Sequence, residues 1–229
     1  MSKKPKLFIA KRSLVDMASD RLREAILCAE LLPGGRLVET DLAEEMGVSR
    51  GTVRAALSEL KRDGLVESQP YSSWAVTKLD VQTLWEIYTL RASFESGAAR
   101  LLASRITAED RKAVEKAARA LSKAEQTGAN RLEADLAFHD LIVARCGNKM
   151  LYENYVKLAD KVRWVYAASE AKEPKRIDLI DWHEPLISAL CSGQADQAAK
   201  IAFDMCMASL DDDLAAIPDI HLQRERGIR

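Results

Sequence analysis

Apolar positions recur at intervals of three and four along most of this chain, which is the period of an amphipathic helix. Leu14, Ala18, Leu22, Ala25 and Ile26 mark a first helix, which must end before "LLPGGR", where Pro33, Gly34 and Gly35 break it. Leu42, Ala43 and Met46 form the inner face of a short second helix closed by Gly47. Ser49 then caps a third helix that buries Val53, Ala56, Leu57 and Leu60 and stops at Gly64. Two helices joined by a tight glycine-containing turn are the pattern of a helix-turn-helix. The runs "LVESQ" and "WAVTK", separated by "PYSS", follow as the paired strands of a small β-wing.

Beyond Asp80 strand-like alternation disappears and helical spacing takes over. Asp80 caps a helix carrying Leu84, Ile87, Leu90, Phe94, Ala98 and Leu101, and Thr107 with Asp110 forms an acidic variant of a capping box for the next. Further helices are expected over about 107–125, 131–146, 149–169, 176–191 and 195–214, with turns at "QTGAN" and "RCGNK". The expected fold is mainly α: an N-terminal winged helix-turn-helix and a C-terminal all-α bundle of six or seven helices. Bundles of this kind place ligand sites between facing helices.

Composition narrows the classes. With 229 residues, 48% of them hydrophobic, the chain is long enough for two packed domains. No stretch approaches the ~20 apolar residues of a membrane span, and the basic start "MSKKPKLFIAKRS" has too short an apolar run for a signal peptide; a cytoplasmic protein is expected. Cys28, Cys146, Cys191 and Cys206 show no close pairing, so thiols filling cores are expected rather than a zinc ribbon or a disulfide framework. Residues 1–78 hold 13 Lys/Arg against 11 Asp/Glu, and the remainder 21 against 24. Lys3, Lys4, Lys6, Lys11 and Arg12 precede any acid, which suits an arm near phosphates.

The outward residues of the third helix carry the first candidate chemistry. Ser49, Arg50, Gly51, Thr52 and Arg54 precede its first acid, Glu59. A helix start that presents arginines and hydroxyls donates to phosphates and reaches guanine edges in the major groove. In "DLAFH", Asp135 and His139 lie four apart and share one helix face, as a metal site, an effector contact or a solvated pair.

"LVETDLAEEMGVSRGTVRAALSELKRDGLV" resembles the winged-helix signature of the GntR family of bacterial transcription regulators over residues 37–66. The resemblance implies that Arg50 and Arg54 read DNA and that Ser49 and Thr52 meet its backbone. Thr40 stands where some members have a DNA-contacting arginine, and Ser73 where the wing tip usually has glycine. "IYTLRASFESGAARLLA", "DLAFHDLIVARCGN", "WHEPLISAL" and "GQADQAAKIAFDM" are similar, in that order, to the helical effector domain of the FadR subfamily. Members often hold a divalent metal on one aspartate and three histidines, and the metal binds a carboxylate effector. Asp135, His139 and His183 fall on three of those positions and Met205 on the fourth.

A thioether is a poor ligand for the zinc, nickel or manganese usually invoked. Three arrangements answer that gap: an open three-ligand site, a one-residue shift that brings in Cys206 at a rotation of roughly 100°, or a polar pocket without metal. Arg91 matches a position facing the effector cavity in relatives, or pairs with Glu95. Arg163 lines or covers that cavity, and Asn148, which follows Gly147 at a turn, is the third effector-contact candidate.

The expected organisation is 1–78 for DNA binding with a basic arm, 79–215 for effector binding and dimerisation, and 216–229 as a polar tail holding His221. The implied protein is a regulator, most often a repressor in this family, whose homodimer binds an inverted-repeat operator in double-stranded DNA and answers to a small organic acid. It has no membrane partner and no catalytic residues. The competing reading is a metal-dependent hydrolase fused to a DNA-binding module, with Glu184 beside His183 as its general base. A helical scaffold carrying a degenerate winged helix is a third.

Overall fold

A computed structural model describes residues 12–69, 73–170 and 178–216. The arm up to Lys11, the wing tip at 70–72 and the tail from 217 with His221 lie outside them. The chain forms two compact units that meet at Lys78 and Leu79.

In the first unit α1 (Leu14–Leu27) starts with a capping box, in which the Ser13 hydroxyl accepts from Asp16 N–H and the Asp16 carboxylate accepts from Ser13 N–H. It buries Ala18, Leu22, Ala25 and Ile26 against α3. Leu14, expected on that inner face, is the first residue of α1 and is exposed. α2 (Glu39–Met46) ends at Gly47, whose φ of 63° is the left-handed conformation that glycine adopts without strain. Ser49 caps α3 (Arg50–Arg62), and Val53, Ala56, Leu57 and Leu60 are fully buried, as their spacing requires.

The wing is β2 (Val66–Gln69) paired antiparallel with β3 (Ser73–Val76), with Ser68 opposite Trp74. A third strand was not expected. β1 (Arg36–Leu37) pairs with the other edge of β3, giving the order β1-β3-β2 and tying the segment before α2 to the wing.

The second unit contains six helices among the described residues: α4 (Val81–Ser104), α5 (Ala108–Thr127), α6 (Arg131–Arg145), α7 (Lys149–Glu170), α8 (Leu179–Cys191) and α9 (Ala195–Ala216). α4 and α9 pack lengthwise, while α5 packs on α6 and α8. The Thr107–Asp110 capping box of α5 is formed in both directions. On α4 the buried stripe is Leu84, Ile87, Tyr88, Arg91, Ala92, Glu95, Ala98, Ala99 and Leu102. Leu90 and Leu101 of the expected inner face are exposed, because the charged pair Arg91 and Glu95 takes the inward positions. None of the helices is long and apolar enough to cross a membrane among the described residues.

Candidate DNA-reading surface and metal centre

α3 presents Arg50 and Arg54 on its open side, with side chains 63% and 60% exposed. Both face Glu39 at the start of α2, which is buried. Arg54 donates from Nε to Glu39 Oε1 at 2.8 Å and from Nη2 to Oε2 at 2.7 Å, and Arg50 Nη2 lies 3.8 Å from Oε2. From the wing, Trp74 Nε1–H donates to Glu39 Oε1 at 3.0 Å. The paired bonds from Arg54, helped by Trp74 and the charge of Arg50, outweigh burial and hold the Glu39 carboxyl at about 2.

Ser49 spends its hydroxyl on the cap: Oγ accepts from Thr52 N–H at 3.1 Å and bonds Thr52 Oγ1 at 2.9 Å. Thr40 Oγ1 donates to the Asp41 carboxylate, and Ser73 opens β3 opposite Gln69. Glu39 has no place among the sequence candidates; it opens the helix before the one that carries the two outward arginines, and nothing in the spacing marks it.

In the second unit α6 and α8 bring Asp135, His139 and His183 together, with one ligand atom of each inside a 4.8 Å span. His183 Nε2 lies 3.1 Å from Asp135 Oδ1 and 3.2 Å from His139 Nε2. The outer ring nitrogens are tied off. His183 Nδ1 is 2.7 Å from the carbonyl oxygen of Leu179, which can only accept, so that nitrogen carries the proton. His139 Nδ1 sits 2.8 Å from Glu95 Oε2, close enough for the carboxylate to favour a proton there. The two inner Nε2 atoms face each other and the Asp135 carboxylate, whose Oδ2 is buried without a hydrogen-bond partner. Only a positive charge among them, a proton or a cation, stabilises such a cluster. Outer nitrogens held by a carbonyl and a carboxylate are the usual support of metal-ligating histidines.

Burial pushes the Asp135 carboxyl up, but His183, His139 and Arg91 outweigh it and hold the group at about 2. Phe138 meets both imidazoles edge-on, at 5.6 and 5.0 Å between ring centres, and walls the cluster.

Arg91 is not an open clamp. Its Nε donates to Glu95 Oε1 at 2.6 Å and its Nη1 to Tyr166 Oη at 3.0 Å, so the pairing with Glu95 is the one formed. Glu95 also accepts from Tyr155 Oη at 3.0 Å and from Cys206 Sγ at 3.4 Å. Burial raises the Glu95 carboxyl, but Arg91 and His139 overcome it and leave it well below the usual range.

Cys206 therefore serves Glu95 and lies outside the Asp135 cluster, which removes the shifted alignment; Met205 is buried in the surrounding core. Asn148 is placed elsewhere, accepting from Leu151 N–H as the cap of α7. Arg163 pairs with Glu133 at 3.7 Å on the groove between α6 and α7, away from the two histidines. Glu184 is exposed while its neighbour His183 is fully buried, so it offers no base to the cluster. The cysteines are free thiols, two of them buried.

A winged helix joined to a helical unit that gathers an aspartate and two histidines defines a DNA-binding regulator with a sensing domain. The chain belongs to the bacterial regulatory proteins of the gntR family: that family's domain matches residues 14–76 and the FCD domain matches residues 86–205. It is 31% identical to the HTH-type transcriptional regulator LutR of Bacillus subtilis, over 74% of this chain and 87% of that protein. It is 30% identical to the HTH-type transcriptional regulator Rv0494 of Mycobacterium tuberculosis, over 82% and 80%. With YdhC of Bacillus subtilis, also 30% identical, the match spans 58% of this chain and 60% of the relative. Among solved structures, McbR/YncC of E. coli aligns at a TM-score of 0.69 with 22% identity, over 90% of this chain and 99% of that one. The chain is a DNA-binding transcription regulator and not an enzyme.

Proposed function

We propose that this regulator is a two-fold dimer that binds an inverted repeat through α3 and represses until a small organic acid enters the helical unit. One of its relatives is named as a repressor, NanR of Enterobacter sp., 30% identical over 70% of this chain. One reading helix per chain makes two-fold pairing on an inverted repeat the economical arrangement. Arg50 and Arg54 reach base edges, and Ser49, Thr52, Thr40 and Ser73 lie along the phosphates.

Asp135, His139 and His183 hold a divalent cation. The observation that carries this is the convergence of the two imidazole Nε2 atoms on a carboxylate with one buried oxygen lacking a hydrogen-bond partner. Nitrogen and oxygen donors of this kind suit zinc, nickel or manganese. The bound ion would supply a Lewis acid with open positions for a carboxylate oxygen. The chain's own residues do the rest: Leu179 and Glu95 orient the imidazoles, and Phe138 keeps water from their edges.

Elemental analysis of untagged protein, with a thermal-shift screen of organic acids before and after chelation, tests the reading. Stoichiometric divalent metal and an acid-induced rise in Tm that chelator abolishes are expected. Metal-free protein with the same acid response after chelation overturns the metal, and no response to any acid overturns the effector class.

A further inference from the structure

The geometry points to Glu39 as a specificity-determining positioning residue that fixes which edge of Arg54 faces the DNA and cancels its pull on phosphates. The inference rests on the reading of α3 as the DNA-contacting helix. A guanidinium carries five N–H groups in a rigid plane. Glu39 takes the side edge of Arg54, one N–H from Nε and one from Nη2. The end edge, formed by one Nη1 proton and the second Nη2 proton, is left over, and it is the edge that bonds O6 and N7 of a guanine in paired fashion.

The carboxylate is buried and Arg54 is more than half exposed, so Glu39 orients the contact without making one. Trp74 holds Glu39 Oε1 from β3, on the same oxygen that Arg54 Nε uses, so the wing strand fixes the plane as well. Charge works the same way. Arg54, and Arg50 at 3.8 Å, share the one anion, so the helix start carries less free positive charge than its two arginines suggest. Attraction to any phosphate is thereby reduced, while the bonds to a guanine edge remain.

The test uses the full-length protein, the duplex it enriches from a randomised pool and an unrelated duplex of equal length, titrated by fluorescence anisotropy over a range of KCl. Glu39→Gln keeps the side-chain volume and an oxygen for Trp74 but loses the charge. We expect it to lower the selected-to-unrelated affinity ratio roughly tenfold. Binding to the unrelated duplex holds or tightens, and its salt slope steepens by about one ion. In an Arg54→Ala background the same change has no further effect on the ratio.

An unchanged ratio in folded Glu39→Gln protein, or an additive loss in the double variant, overturns the inference. Should Glu39→Gln not fold, Trp74→Phe takes its place, with a loss in ratio of roughly threefold expected; an unchanged ratio there overturns the inference equally. If Arg54→Ala binds the selected duplex as wild type does, the reading of α3 itself fails, an outcome distinct from failure of the Glu39 role.

Discussion

Glu95→Leu removes the only carboxylate bonded to Arg91 among the described residues, in a place where neither side chain is more than 2% exposed. Among the described residues the hydrogen bond left to the guanidinium is the one to the hydroxyl of Tyr166, a neutral partner for a full charge. Breaking a buried pair from one side costs about 3–5 kcal/mol, because the orphaned ion keeps its desolvation penalty. A chain of this size loses ~2–4 °C of Tm per kcal/mol, so a fall of roughly 6–20 °C is expected by scanning calorimetry. The control is Arg91→Met with Glu95→Leu, which removes both charges together. Two apolar side chains of similar volume replace a buried pair at little net cost, although the hydroxyls of Tyr155 and Tyr166 each lose a bond worth about 1 kcal/mol. The double variant should therefore be no less stable than Glu95→Leu alone. If the two single losses simply add, the pair is not coupled and the description of α4 as organised around it is wrong.

Stability at acid pH should follow Glu39, whose folded carboxyl sits at about 2 against an ordinary 4.5. A lowered folded value means its contribution is complete above roughly pH 4.5 and fades as the pH falls toward 2, so the Tm difference between wild type and Glu39→Gln should shrink over that window; a constant difference refutes the assignment. Gly51→Ala should stabilise by about 0.5–1 kcal/mol in chemical denaturation, since a Cβ there meets only Ser49 Oγ at 3.7 Å inside α3. Gly47→Ala should destabilise by about 1 kcal/mol despite open space around it, because its φ of 63° disfavours a side chain. Equal signs for the two glycines would contradict the backbone assignment. Arg50→Ala and Arg54→Ala should each weaken binding to the selected duplex by ~1–3 kcal/mol, measured by the same anisotropy titration.

Periodicity located the helices where burial is purely apolar. Val53, Ala56, Leu57 and Leu60 needed only their spacing to be placed inside. On α4 the same rule misplaced Leu90 and Leu101, since no hydrophobic count anticipates that Arg91 and Glu95 occupy the inner face and satisfy one another there. β1 escaped because two residues carry no alternation; only its pairing with Trp74 and Ala75 makes it a strand. Asp135 and His139 were legible as a pair because both lie on one helix, and His183 joined them only through resemblance, since the α6 to α8 contact is tertiary. Glu95 and Glu39 belong to the two sites for the same kind of reason. Each acts through a partner, His139 in one case and Arg54 in the other, so its role appears only when distances exist. Asn148 shows the converse, a polar residue near a glycine whose use proved to be capping α7.

The backbone of Leu179 is held on both sides of its Cα. The N–H of Leu179 donates to Glu125 Oε2 at 2.7 Å, while its C=O receives His183 Nδ1–H at 2.7 Å. Glu125 is in turn paired with Arg131 at the start of α6, the helix that carries Asp135 and His139. The imidazole of His183 thus hangs from a hinge pin whose other end is fastened to α5, and the two helices that supply the cluster are geared through a single carboxylate. A ligand that displaced the ring would load the first turn of α8 through that bond. The exchange rate of one backbone proton, the N–H of Leu179, should gauge how tightly the histidine is held.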